Sequence, residues 1–208
     1  MKYAPDKYRR RSIRLKEYDY SQAGAYFVTI CTRDRECLFG DIVDGEMRLN
    51  NAGRMIQRWW YESAEKFKNI ELDQSVVMPN HFHGIIKIVG AALCGRPENN
   101  TYHGKTGQPH RVAPILGDII DWFKTMTTNE YIRNVKLRDW PSFYGKLWQR
   151  NYYEHVIRND DDLNRIRQYI IENPMNWYKD KDNPANIIHR RGERLFASTT
   201  NNPWTISL

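Results

Sequence analysis

Four residues have the types and spacing to do chemistry together. His81 and His83 lie in the stretch Met78-Pro79-Asn80-His81-Phe82-His83-Gly84-Ile85-Ile86-Lys87-Ile88-Val89, which reads as a tight turn feeding a β-strand. Side chains alternate along a strand, so His81, His83, Ile85 and Lys87 share one face and Phe82, Gly84, Ile86 and Ile88 the other. Two imidazoles side by side on one face suit a divalent metal. Tyr169 and Asn173 stand four apart in a later amphipathic stretch, which makes them neighbours on a helix surface. A carboxamide oxygen is a hard ligand for Mg2+ or Mn2+. A tyrosine oxygen can attack a phosphorus whose non-bridging oxygens a metal has polarised. Spacing alone leaves a plainer reading beside this one: two hydrogen-bonded or surface histidines, a core tyrosine and a helix C-cap asparagine.

The elements that must position these residues follow from pattern. Residues 24–32 form a β-branched and aromatic run and read as the first strand. Short extended pieces at 37–40 and 45–49 follow, and Asn50 or Asn51 caps a helix expected over 52–67. Residues 70–77 and the histidine stretch make an antiparallel hairpin across the Met78-Pro79-Asn80 turn. A helix over about 114–133 and a strand over 148–158 come next. The last helix starts in the Asn159-Asp160-Asp161-Asp162 cluster and stops at Asn173-Pro174, because a proline disfavours helical backbone at the residue before it. Leu163, Ile166 and Ile170 are its expected core side. This order gives an α+β fold, an antiparallel β-sheet with helices packed on one face.

Composition narrows the function. The chain has 208 residues, enough for one domain, a net charge of +7, and 13% aromatic residues. Cations neutralise phosphates and aromatic faces stack on unpaired bases, so this balance suits nucleic acid. The basic excess is concentrated in an N-terminal arm over 1–20, where Arg9, Arg10, Arg11, Arg14 and Lys16 are candidate phosphate contacts, with Arg150 another further on. The core domain spans 21–178, is interrupted by a long polar loop at 90–111, and is followed by a polar tail over 179–208. Three cysteines without paired spacing (Cys31, Cys37, Cys94) fit a reducing, cytoplasmic setting better than a disulfide framework or a structural zinc site. No apolar run reaches membrane-spanning length.

Four stretches resemble the single-tyrosine HUH (His-hydrophobic-His) transposases, and within them the REP-associated tyrosine transposases. They are Tyr26-Phe27-Val28-Thr29-Ile30, Val76-Val77-Met78-Pro79-Asn80-His81-Phe82-His83, the strand from Leu147 to Asn159, and Gln168-Tyr169-Ile170-Ile171-Glu172-Asn173-Pro174. The resemblance covers about residues 24–178. It implies a ferredoxin-like, RRM-like sandwich, with His81, His83 and Asn173 as ligands of Mg2+ or Mn2+ and Tyr169 as the nucleophile. It implies cutting and rejoining of single-stranded, hairpin-bearing DNA through a 5′-phosphotyrosine link. A monomer is favoured over a homodimer. Tyr152 and Tyr153 compete for the nucleophile's place but lack an asparagine partner. His155 sits in a matching motif with a structural hydrogen bond as its expected role. Against this stand a replication or relaxase-type nicking protein, a hydrolytic metalloenzyme on a small substrate, and a domesticated nucleic-acid-binding protein that keeps the fold without the cleavage.

Overall fold

The computed structural model describes residues 23–89 and 116–186. The arm with Arg9, Arg10, Arg11, Arg14 and Lys16, the 90–111 loop and the end of the tail lie outside the described residues. The first run forms strand β1 (Gly24–Cys31). The two short pieces pair as β2 (Gly40–Val43) and β3 (Glu46–Leu49) in a small sheet of their own. Helix α1 (Asn51–Lys66) begins where Asn50 Oδ1 accepts the Gly53 N–H at 2.9 Å. Strands β4 (Ile70–Val77) and β5 (His81–Ile88) form the expected hairpin. Helix α2 (Leu116–Arg138) outruns its expected end, since nothing breaks the helix before Pro141.

Strand β6 (Tyr153–Ile157) is shorter than expected from the 148–158 pattern. Trp148 explains the difference. Its indole N–H donates to Thr127 Oγ1 on α2 at 2.9 Å, and it meets β1's end only through an isolated bridge to Thr32. The buried indole therefore holds residues around 148 against α2 instead of in the ladder. Helix α3 (Asp160–Glu172) is capped by Asn159, whose Oδ1 accepts the Asp162 N–H, and Asn173 is its C-cap.

The main sheet has the order β4-β5-β1-β6 with every neighbouring pair antiparallel. With α1 after β1 and α2 after β5, this is the ferredoxin-like α+β sandwich. The expectation of helices on one face alone needs correction, because both faces are covered. Tyr26, Val28, Phe82 and Ile86 pack with Trp60, Ile119 and Phe123 on one side. Phe27, Ile85 and Ile157 pack with Ile166 and Ile170 of α3 on the other. The reason is strand alternation: the histidine face carries its own apolar row, and α3 covers it. Burying each of the two α3 isoleucines contributes about 1.5–3 kcal/mol. Gly84 serves the opposite side, because a Cβ there would lie 2.4 Å from Cζ2 of Trp60. Its lack of a side chain lets the indole lie against the strand that bears the histidines.

Candidate active site

Register sets the site. On the α3-covered face, His83 lies opposite Thr29 of β1 and His81 opposite Cys31. Both imidazoles are buried, at 0% and 2% exposure, and their Nε2 atoms converge to 3.0 Å. The other ring nitrogens are held from behind. His81 Nδ1 lies 2.9 Å from Asn80 Oδ1, and His83 Nδ1 lies 2.8 Å from Thr29 Oγ1.

The asparagine fixes a tautomer. Asn80 Nδ2 donates to the Arg35 carbonyl at 3.0 Å and the Asp182 carbonyl at 2.8 Å, so its amide can face only one way. Oδ1 then accepts from His81 Nδ1–H, and the His81 Nε2 lone pair points at His83. Thr29 is more permissive, because a hydroxyl can donate or accept. With Thr29 donating, His83 carries its proton on Nε2 and gives it to His81. With Thr29 accepting, both Nε2 atoms present lone pairs to the same point, which is the arrangement a cation needs. Burial pushes both imidazole pKa values down, that of His83 well down, with the neighbouring His81 adding to the effect there. At neutral pH both rings are neutral.

Helix α3 brings the other two expected residues to this point. The Tyr169 ring lies 5.3 Å from the His83 ring and 5.9 Å from that of Phe27, edge-on to the latter at 88°. Asn173, one turn further, is 4% exposed, and its Oδ1 is buried without a hydrogen-bond partner. An orphaned carboxamide oxygen in a buried polar site costs about 1–3 kcal/mol unless something else meets it. Burial raises the Tyr169 hydroxyl above the ordinary phenol range and the Asp180 charge adds to this, while a hydrogen bond with Asn173 opposes them. The phenol is therefore protonated at neutral pH.

Asp180 is the residue the sequence reading passed over. Its Oδ2 lies 3.7 Å from His81 Nε2, and His81, His83 and Asp180 can bring their ligand atoms within 4.8 Å of one another. It belongs to the stretch read as a polar tail, yet Asp180 and Asp182 are built into the site. Asp182 pairs with Arg35 at 2.9 Å. Asn183 and Asn186 hold the segment by donating to the Trp177, Tyr178 and Asp180 carbonyls. The site thus extends past residue 178. A hint was present in sequence, since Asp180-Lys181-Asp182 follows Asn173 within reach of one short turn.

The remaining candidates fall elsewhere. His155 Nε2 bonds Asp162 Oδ2 at 2.9 Å, the structural role expected for it. Tyr153 packs edge-on against Phe27, with Lys181 over its ring. Arg150 is exposed beside a groove at the end of β1. The donor set of two imidazoles, a carboxamide oxygen lacking a partner and a carboxylate fits a hard or borderline divalent metal.

The ferredoxin-like sheet carries a buried His-x-His pair under a helix with tyrosine and asparagine one turn apart, which are the residues by which the sequence resembles the single-tyrosine HUH proteins. No family model matches the chain. The chain belongs to one family with an uncharacterized protein of Haemophilus influenzae, 37% identical over 181 residues that span 86% of this chain and 96% of that protein. It is also similar to a second Haemophilus influenzae protein, named "Putative REP-associated tyrosine transposase". The two are 25% identical over 183 residues, 83% of this chain and 84% of that one. A solved REP-associated tyrosine transposase bound to a REP hairpin superposes with a TM-score of 0.47 at 20% identity, over 77% of this chain and 73% of that one. No helix among the described residues is long and apolar enough to cross a membrane.

Proposed function

We propose that the chain is a metal-dependent endonuclease and strand transferase for single-stranded, hairpin-bearing DNA, working through a 5′-phosphotyrosine on Tyr169. One observation carries the reading: the Tyr169 ring stands 5.3 Å from His83, one turn before an asparagine whose buried Oδ1 has no hydrogen-bond partner. His81 and His83 through Nε2, and Asn173 through Oδ1, would hold Mg2+ or Mn2+, with Asp180 as the adjoining carboxylate. When bound, the metal supplies positive charge that polarises the scissile phosphate and favours loss of the phenol proton.

The chain's own residues do the rest. Phe27 and Ile170 hold α3 on the sheet, so the Tyr169 oxygen is offered in one direction. That oxygen attacks phosphorus and the P–O3′ bond breaks. The phenol gives up its proton, and the departing 3′ oxygen gains one. A 3′-OH attacking the tyrosyl phosphodiester reverses the step, so strands can be joined as well as cut.

The test is a denaturing gel of the chain incubated with labelled hairpin-bearing single-stranded DNA and Mn2+. The wild-type chain is expected to form a covalent adduct, and Tyr169→Phe to reduce it to background. An undiminished adduct in Tyr169→Phe would remove the nucleophile. Tight binding in EDTA without an adduct under any divalent metal would make the chain a binding protein instead.

A further inference from the structure

We infer that a basic groove at the end of β1, lined by Arg33, Lys146, Gln149 and Arg150, is the track along which a single DNA strand reaches Tyr169; this rests on the nuclease reading above. Two adjoining clefts, of about 570 Å3 and about 420 Å3, share Lys146, Trp148, Gln149 and Arg150 as their common wall. That wall is bonded directly to the histidine end of the sheet. The Gln149 N–H donates to the Cys31 carbonyl at 2.9 Å, and the Arg33 N–H to the Leu147 carbonyl at 2.8 Å. Gln149 Nε2 donates to the Thr32 carbonyl at 3.1 Å. Cys31 is the register partner of His81, and the Thr32 N–H donates to the Asn80 carbonyl at 2.8 Å. The groove's wall therefore joins the end of β1 that pairs with the histidine strand, and its smaller cleft reaches the site through Arg35, which pairs with Asp182.

Two of its cations are uncommitted, while Asp34 and Asp121 also line the clefts. Lys146 and Arg150 are exposed and have no carboxylate partner among the described residues, while Arg33 meets only its neighbour Asp34, at 3.5 Å. Arg35, by contrast, is turned inward to Asp182. The turn that separates the two arginines is unusual, with left-handed backbone at Asp34 (φ 57°) and Arg35 (φ 59°). Such backbone outside glycine costs of order 1 kcal/mol or more and is kept where geometry matters. Gly145 completes the fit, since at φ +75° a Cβ would stand 2.9 Å from Arg33 Nη1. The wall is also stiff. Lys124 Nζ donates to the Gln149 carbonyl at 2.7 Å and the Arg150 carbonyl at 3.0 Å, and the Trp148 indole is anchored to Thr127. A rigid wall with two cations that meet no carboxylate among the described residues suits phosphates, and Tyr144, 81% exposed next to Gly145, offers a ring on which an unpaired base can stack.

The experiment is fluorescence anisotropy with a labelled oligo(dT) single strand, in EDTA, over a salt series. The double variant Lys146→Gln/Arg150→Gln is expected to bind about tenfold more weakly, with a log–log salt slope shallower by about 1.4, two phosphate contacts for single-stranded DNA. Lys66→Gln/Lys68→Gln, an equal loss of charge at the end of α1, is expected to bind as wild type. Unchanged affinity and slope in the groove variant, an equal loss in the α1 variant, or no binding of oligo(dT) by the wild-type chain would each overturn the assignment. Tryptophan fluorescence and thermal melts of both variants confirm that the fold is kept. Because binding in EDTA needs no cleavage, a groove that fails leaves the Tyr169 adduct intact. An absent adduct leaves groove binding intact, so the two readings fail separately.

Discussion

Asn80 decides which way His81 presents its lone pair, because two backbone carbonyls occupy its amide N–H groups and leave only Oδ1 for the ring. Asn80→Ala removes that constraint and frees His81 to change tautomer. Partners of this kind are worth about 10–100-fold in metal affinity, so calorimetric titration of Mn2+ is expected to show a loss in that range. An affinity equal to wild type would mean the tautomer is set elsewhere. Asp180→Asn keeps the shape and removes the charge 3.7 Å from His81. It is expected to weaken Mn2+ binding in the same titration, and unaltered binding would exclude Asp180 from the ligand set. The four residues named from the sequence were legible because each pair lies on one regular element, where a period of two or of 3.6 places side chains together. Asn80, Thr29 and Asp180 were not. They come from a turn, another strand and a segment after the last helix, and only tertiary packing relates them.

The helix bearing Tyr169 is fastened to the chain's own sheet. In β4 the register shifts between Leu72 and Ser75, and this bulge contains Asp73. Its carboxylate pairs with Lys87 of β5 at 2.7 Å and with Arg167 of α3 at 2.6 Å, two residues before Tyr169. These bonds, chiefly the one to Arg167, hold the Asp73 pKa well below the usual carboxylate range. The anchor thus fixes the turn of α3 that carries Tyr169 against the sheet that carries the histidines. The partners are partly exposed, so Asp73→Ala is expected to cost only about 1 kcal/mol of stability. Its larger effect is expected in single-turnover adduct formation, where a small displacement of α3 misplaces the nucleophile. A rate that falls no more than stability does would make the anchor merely structural. Gly84→Ala tests the other face. The Cβ clash with Trp60 is expected to cost about 1–3 kcal/mol in denaturant melts, and an unchanged midpoint would show that the indole can give way. The limits of α1 and α3 and the β4–β5 hairpin were readable from caps, Pro174 and alternation, while the end of α2, with no such signal, was not. The second covered face was not, because strand alternation tells that two rows exist and leaves open which helix crosses over which.

At the scale of the molecule, the buried histidine pair sets how the fold responds to acid. Both imidazole pKa values lie below 6.5 in the folded chain, with burial as the first cause. In the unfolded chain both titrate near 6.5. Below that pH the unfolded state binds more protons than the folded one, so stability is full above about 6.5 and is lost as pH falls towards the folded values. One site contributes at most about 1.4 kcal/mol per pH unit, and a coupled pair up to about twice that. Asp73 and Asp162 carry lowered pKa values too, but their unfolded reference is 3.8, so their contribution disappears only in stronger acid. The two losses are therefore separated in pH. Thermal melts in EDTA are expected to be level from about pH 8 to 7, to fall through pH 6 and 5, and to fall again below 4. His83→Gln, which keeps a polar group opposite Thr29, is expected to flatten the upper decline and leave the lower one in place. A wild-type melting temperature that stays level down to pH 5 would mean that the pair accepts a proton inside the fold. The site would then be a hydrogen-bonded pair that takes up charge instead of one kept neutral for a cation.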